Sequence, residues 1–197
     1  MFPMPNRWRT CIAGWVTDEA HRQTRSLTVR AEETILTVTA EPTNVRPSIR
    51  MGQFAVAAGG VVLRTLLGSC LGIALYDHRS KTGGLAHVVL PHSKGATQLP
   101  AKFVDTAIPA LIEEMGKVAG SRLDLTAKLA GGANMFKGSG AKRIGQQNIE
   151  AADCLLTALG VPIVARHLGG ERGRRMLLDT ETGRVMIEVV GADVVEL

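Results

Sequence analysis

Short apolar segments separated by glycine-containing turns occupy residues 53–91, and this alternation constrains the fold more than any other feature of the chain. The segments are QFAVAA, VVLRTLL, LGIALYD and LAHVVLP, separated by GG, GSC and HRSKTGG. Apolar segments of this length that end at turn residues are typical of β-strands. Leu71, Ile73 and Leu75 also alternate with other residues, as in a strand with two different faces. The region therefore predicts consecutive strands joined by short turns.

Two amphipathic helices and a hairpin follow these strands. AKFVDTAIPALIEEMGKVAG and IGQQNIEAADCLLTALG both place apolar residues three and four positions apart, and they end at Gly120 and Gly160. VPIVARHL predicts another strand, and RRMLLDTETGRVMIEVV predicts a hairpin that reverses near Gly183. Hairpin strands with two intervening helices indicate an α/β sandwich with a mixed, largely antiparallel sheet.

Residues 1–47 differ in composition from the rest of the chain. They contain arginines but no lysine, both tryptophans, and a proline-rich end at EPTNVRPSIR. We interpret residues 1–47 as a flexible N-terminal extension and residues 48–197 as the folded domain. Within the extension, the β-branched alternation of SLTVRAEETILTVTAEP favours one or two strands.

Composition disfavours several classes of function. The net charge of +5 favours acidic partners, but the basic residues are scattered and only 4% of the chain is aromatic, so we expect no nucleic-acid surface. The chain lacks an 18-residue apolar run and a recognisable secretory signal, so we expect no membrane insertion. Three widely spaced cysteines resemble neither a disulfide framework nor a zinc site. The expectation is a cytoplasmic protein without a metal site.

Cys70 and His87 have the residue types and the setting for nucleophilic chemistry. Cys70 lies in a turn between two predicted strands, where Gly68 and Gly72 permit a sharp bend that aims the N–H groups of Ser69 and Cys70 at a developing oxyanion. His87 follows seventeen residues later in an apolar strand and is the obvious acid/base partner. The alternative is a cysteine that only packs and a histidine that is satisfied in the core, and spacing alone favours that alternative.

The predicted hairpin keeps this pair apart. In a plain hairpin Tyr76 pairs with Leu85. His87 then faces Ala74, roughly 13 Å along the strand from Cys70 at about 3.3 Å per residue. Catalysis would require Cys70 to curl back from its strand, or a bulge that shifts the register. Pairing with His87 is also the available means of populating the Cys70 thiolate near neutral pH.

Seven motifs occur in order from about Arg50 to the C-terminus. They are MGQFAVA, LGSCLGIALYD, GGLAHVVLP, KFVDTAIPALIEEM, AKLAGGANMF, IGQQNI, and GG followed by GR. The ordered set resembles the chemoreceptor glutamine deamidase family of bacterial chemotaxis, known as CheD. The resemblance implies a three-layer α/β/α sandwich in which Cys70 and His87 hydrolyse the carboxamides of receptor glutamines, with related action on glutamyl methyl esters. It also implies methyl-accepting chemoreceptors as substrates and a CheC-type phosphatase as a partner.

The resemblance also implies a third catalytic residue, a threonine shortly before the cysteine. The position six residues before Cys70 holds Arg64, while Thr65 lies one residue nearer. A single step along a strand points to the opposite face. Thr65 is therefore the provisional assignment.

These residues lead to a thioester hypothesis that needs no cofactor. Cys70 adds to the glutamine carbonyl, N–H groups near Ser69 and Cys70 in the turn that begins at Gly68 stabilise the oxyanion, and His87 protonates the departing ammonia and then activates water. Two alternatives remain open. One is a Cys-His acyl hydrolase or transferase of other specificity, such as a peptidase. The other is a binding module that regulates a phosphatase.

Overall fold

The computed structural model describes residues 35–38, 47–95, 98–120, 122–134 and 139–197, with the backbone alone for 35–38 and 139–143. The strands are β1 (Ile35–Val38), β2 (Ser48–Ile49), β3 (Phe54–Ala58), β4 (Val62–Leu67), β5 (Leu71–Asp77), β6 (Thr82–Val88), β7 (Leu125–Gly131), β8 (Ile163–Leu168), β9 (Arg174–Asp179), β10 (Val185–Val189) and β11 (Val195–Glu196). The helices are α1 (Val104–Ala119) and α2 (Ser139–Ala158), and a 3-10 turn spans Pro100–Lys102. Neither described helix is long and apolar enough to span a bilayer.

The described strands form two sheets, and with the helices they make three layers. The six-stranded sheet has the order β1-β3-β6-β5-β7-β8, and the five-stranded sheet has the order β11-β10-β9-β4-β2. One face of the six-stranded sheet packs against the helices through a cluster that includes Phe54 and Leu111. Its other face packs against the five-stranded sheet through a cluster that includes Leu63 and Leu85. The predicted α/β class is confirmed, and the layer opposite the helices is a second sheet.

Two glycines of β6 allow this close packing on both faces. A Cβ at Gly84 would lie 2.8 Å from Cδ1 of Leu111 on α1, and a Cβ at Gly83 would lie 2.8 Å from Cγ2 of Thr180, next to the five-stranded sheet. Side chains at these positions would force the layers apart, because interiors are close-packed. The sequence pattern placed both glycines in the turn, whereas they belong to the strand.

The β5–β6 hairpin has a shorter loop than the sequence predicted. Its closing pair is Asp77 with Thr82, which leaves residues 78–81 as the loop. The Asp77 carboxylate accepts a hydrogen bond from the Ser80 N–H at 3.0 Å. Lys81 adopts a left-handed φ of 52°, which helps the chain reverse within four residues.

The shorter loop changes the register next to Cys70. The predicted pairing of His87 with Ala74 is wrong, because His87 pairs with Gly72. This two-residue shift brings His87 closer to Cys70 by about 6–7 Å, at about 3.3 Å per residue. The ladder is continuous along β5, so no bulge is involved.

Part of the N-terminal extension joins the six-stranded sheet. β1 pairs in parallel with β3, from Ile35 opposite Phe54 to Val38 opposite Ala57. A strand in this segment agrees with the expectation from its β-branched alternation. Residues 1–34 and 39–46 lie outside the described part of the chain, so the flexibility of the extension and the boundary at residue 48 stay predictions.

We predict that deleting residues 1–45 leaves a folded domain. Every described residue of the two hydrophobic clusters lies at or after Ile49, so the deletion removes β1 and no described cluster residue. The measurement is thermal unfolding by circular dichroism, with a deletion of residues 1–34 as the matched control that retains β1. Both proteins should unfold cooperatively, with Tm lower by a few degrees in the longer deletion. Loss of cooperative unfolding in the longer deletion alone would place β1 inside the domain.

Candidate active site

The turn that carries Cys70 is fixed by the loop that follows β7. The Gly132 N–H donates to the Cys70 carbonyl at 2.8 Å, and the Ala133 N–H donates to the Gly68 carbonyl at 2.8 Å. A Cβ at Gly131 would lie only 2.2 Å from the Cys70 carbonyl oxygen, and its φ of 116° is also one that favours glycine. The β7 loop therefore approaches the turn more closely than any side chain would permit.

These contacts use the carbonyls of the turn and leave its N–H groups available. The N–H groups of Ser69 and Cys70 donate to no residue in the described part of the chain. Two neighbouring amide donors beside a reactive side chain are the arrangement that stabilises an oxyanion. Cys70 has a free thiol and is partly exposed. The geometry thus fits the expected oxyanion role of the Gly68–Ser69 turn, which stays a prediction.

His87 lies in β6, and its side chain is in the layer between the two sheets. It pairs with Gly72, where a Cβ would lie 2.7 Å from Leu67 Cδ1 and 2.7 Å from Met176 Sδ of the five-stranded sheet. The imidazole is almost fully buried, with 4% exposure. This face of the β5–β6 hairpin therefore points toward the second sheet.

Cys70 immediately precedes β5 and lies two residues before Gly72, the partner of His87. Residues two apart along a strand share a face, and diagonal partners across two strands are about 7–8 Å apart, within reach of long side chains. No hydrogen bond joins the Cys70 thiol to the His87 ring among the described contacts. The β5–β6 register therefore places His87 opposite a residue two positions from Cys70, and the pairing of the two side chains stays a prediction.

Thr65 holds the imidazole from the opposite sheet. Its Oγ1 lies 2.7 Å from His87 Nδ1 and donates to the Ile49 carbonyl at 2.8 Å. A hydroxyl has one proton to donate. In the tautomer that fits donation from Thr65 to Ile49, His87 Nδ1 carries a proton and donates it to Oγ1. The lone pair of the neutral imidazole is then on Nε2, where a base for the thiol is needed.

The alternation along β4 decides which residue makes this contact. Arg64 is exposed, whereas Thr65 is 1% exposed and faces the six-stranded sheet. The threonine therefore lies beside His87, and the arginine at the position six residues before Cys70 does not. Its catalytic role stays a prediction.

Burial keeps both reacting groups neutral in the unliganded protein. Desolvation lowers the pKa of His87 to about 4, although the Ile49 carbonyl favours the protonated ring. Burial raises the pKa of the Cys70 thiol. Both shifts disfavour a thiolate–imidazolium pair at neutral pH and run against the expectation of a populated thiolate.

Sequence reasoning missed two parts of this site. The first is the loop at residues 131–133, since the motif AGGAN signals a turn without showing what the turn packs against. The second is the Ile49 carbonyl, which is aligned by the parallel pairing of Ile49 with Thr65. Every residue has the same main-chain groups, so a sequence does not show which of them will contact a site.

Comparisons with known proteins indicate the family of this chain. The family model described as CheD chemotactic sensory transduction matches residues 89–189. A probable chemoreceptor glutamine deamidase CheD of Desulforamulus reducens is 43% identical over 76% of this chain and 93% of that protein. The chemoreceptor glutamine deamidase CheD of Thermotoga maritima is 40% identical over 73% of this chain and 91% of that protein.

A second probable deamidase of the same name, from Methanococcus maripaludis, is 43% identical over 71% of this chain and 92% of that protein. The crystal structure of the hypothetical protein YfiH of Bacillus licheniformis aligns with a TM-score of 0.37 and 11% identity, over 67% of this chain and 62% of that chain, a likeness too weak to indicate a shared fold. The relatives match most of the chain at high identity. On this basis the chain belongs to the CheD family.

Proposed function

We propose that this protein deamidates glutamine side chains of chemoreceptors to glutamate, with Cys70 as nucleophile and His87 as acid and base. The observation that carries the proposal is the contact of 2.7 Å between Thr65 Oγ1 and His87 Nδ1. With Nδ1 bonded to Thr65, Nε2 is the proton acceptor in this mechanism, and His87 pairs with Gly72, two residues after Cys70. The substrate class comes from the relatives, which are named as chemoreceptor glutamine deamidases.

The first half of the reaction forms a thioester and releases ammonia. The Cys70 sulfur attacks the carbonyl carbon of the substrate carboxamide while its proton passes to His87 Nε2. Both groups are neutral at rest, so proton transfer accompanies the attack. The N–H groups of Ser69 and Cys70 donate to the oxyanion. The imidazolium then gives the proton to the leaving nitrogen, which departs as ammonia when the tetrahedral intermediate collapses.

The second half hydrolyses the thioester. Water loses a proton to Nε2 and adds to the acyl carbon. The C–S bond then breaks, the sulfur regains the proton, and a glutamate side chain is released. Thr65 accepts the Nδ1–H bond throughout and exchanges no proton. A glutamyl methyl ester would follow the same path with methanol as the leaving group.

The proposal extends to partners and location. Methyl-accepting chemoreceptors are the substrates, a CheC-type phosphatase is the regulatory partner, and the cytoplasm is the site of action. Residues 48–197 form the deamidase domain, with residues 1–47 as an extension. The family likeness supports these assignments.

The first test of the mechanism replaces the two reacting residues. Cys70→Ser and His87→Asn should each abolish deamidation, since one lacks the sulfur and the other lacks a base at the Nε2 position. The assay is mass spectrometry of chemoreceptor co-expressed with each variant, which detects the gain of about one dalton per converted glutamine. His78→Asn, in the exposed β5–β6 loop, is the matched control and should retain full activity. Undiminished deamidation by folded Cys70→Ser would overturn the mechanism, and peptide cleavage by the wild type would indicate another acyl hydrolase.

A pair of substitutions tests the hydroxyl of Thr65. Thr65→Val preserves shape but removes the acceptor for Nδ1–H, so kcat should fall tenfold or more, which corresponds to about 1.4 kcal/mol in the transition state. Thr65→Ser retains the hydroxyl and should lose less than threefold. Steady-state ammonia release provides both values. Equal rates for the valine and serine variants would show that the contact does not orient His87.

The low pKa of His87 predicts acid destabilisation. In the unfolded protein His87 is protonated below about pH 6.5, whereas in the folded protein it is protonated only near pH 4. The contribution of neutral His87 to the free energy of unfolding is fully present above pH 6.5. It decreases by about 3 kcal/mol as the pH falls to 4. Urea unfolding at pH 7, 6, 5 and 4 should show the wild type losing that much more stability than His87→Asn, whose amide can still donate to Thr65. Parallel curves for the two proteins would contradict the assignment.

A further inference from the structure

Arg174 is a buried cation without an acidic partner in the described part of the chain. It is 3% exposed, and its guanidinium donates to the carbonyls of His167 at 2.7 Å, Gly169, and Arg172 at 3.5 Å. It also lies 2.6 Å from His167 Nδ1. An internal charge without a counter-ion is costly. The surrounding carbonyls offset part of that cost, so the guanidinium binds the loop after β8.

The loop after β8 is hydrogen-bonded to the loop after β7, which packs against the Cys70 turn. The Gly169 N–H donates to the Gly131 carbonyl at 2.9 Å, and the Gly170 carbonyl accepts from the Asn134 N–H at 2.8 Å. Gly132, next along the chain, donates to the Cys70 carbonyl at 2.8 Å. Two main-chain hydrogen bonds therefore separate the guanidinium-bound loop from the nucleophile.

The backbone of Arg174 holds the other side of the same turn. It pairs with Leu67 in the β4–β9 ladder, and Leu67 immediately precedes Gly68. One residue thus contacts the strand that enters the Cys70 turn and, through its side chain, supports the loop packed against that turn. A planar guanidinium with several fixed donors can bind several carbonyls at once, whereas a lysine ammonium cannot reproduce that geometry.

An anion site at the motif GGERGRR fits these contacts less well. Carbonyl oxygens surround the Arg174 guanidinium, and they repel the anion that such a site would hold. Arg172 donates to the Val190 carbonyl at 3.2 Å and lies toward the surface. The arrangement is that of a loop held by an arginine.

We infer that Arg174 is a positioning residue for the nucleophile: it sets the Cys70 turn, and with it the sulfur and the two amide donors, relative to His87. The inference rests on the proposed deamidation. Arg174 touches neither substrate nor thiol and acts through the loops after β8 and β7. Displacements of about 1 Å at a reacting centre cost about 100-fold in rate. Loss of the guanidinium should therefore lower kcat more than it affects substrate binding.

The test compares Arg174→Lys with a control of similar stability loss. Val185→Ala is that control, because Val185 is fully buried in β10 and pairs with Leu178, away from the Cys70 turn. Receptor deamidation is measured at a temperature where circular dichroism shows both variants fully folded. Arg174→Lys should lose 10- to 100-fold in kcat with KM within twofold of wild type, while Val185→Ala stays within twofold in both. Equal kcat for the two variants would overturn the inference.

A second variant decides the matter if Arg174→Lys does not fold. His167→Ala removes the ring acceptor of Arg174 at a partly exposed site and should reduce kcat at least threefold at constant KM. Unchanged kcat in that variant would overturn the inference. The wild type and Cys70→Ser are assayed in parallel. An inactive wild type would refute the proposed function, whereas an active wild type with an equally active Arg174→Lys would refute the positioning role alone.

Discussion

The hydrogen bond from His87 Nδ1 to Thr65 Oγ1 joins the two sheets inside a layer that is otherwise mostly apolar. Alanine, leucine and methionine side chains fill much of this layer. A polar pair in such surroundings is stable only when each proton has an acceptor, and an unpaired buried donor costs about 1–3 kcal/mol. The Ile49 carbonyl completes the chain of donors and acceptors. The same requirement that stabilises the fold therefore favours the tautomer of His87 that keeps its lone pair on Nε2.

Periodicity predicted the elements of the fold better than it predicted their arrangement. The helices, the β9–β10 hairpin and the α/β class follow from apolar spacing and glycine positions. The division into two sheets does not, because β4 and β9 bury one face much as other strands do. The hairpin register was wrong for a specific reason: Gly83 and Gly84 have the composition of a turn, yet their small size serves the contacts of β6 with Leu111 and Thr180.

In the candidate site, the sequence indicated the side chains better than it indicated the main-chain contacts. Cys70 and His87 were identifiable because thiol and imidazole are uncommon and chemically distinctive, and Thr65 followed from the family resemblance together with strand alternation. The β7 loop and Arg174 were not identified as parts of the site. They act on the Cys70 turn through carbonyl and amide groups, which every residue has. Glycine is the one partial signal, since Gly131 is required where a Cβ would meet the Cys70 carbonyl.

The buried setting of the pair also bears on when the thiol becomes reactive. Burial disfavours both the thiolate and the imidazolium, so the separated charges are costly in the empty site. In the proposed mechanism the thiol loses its proton as it attacks, negative charge develops on the carbonyl oxygen of the bound carboxamide, and the N–H groups of Ser69 and Cys70 would receive it. The turn therefore stabilises charge at the position where it develops during the reaction, and much less on the resting sulfur. The proposed reactivity then depends on how accurately the turn is held, so the main-chain contacts made by Gly131–Ala133 would matter to it as much as the side chains do.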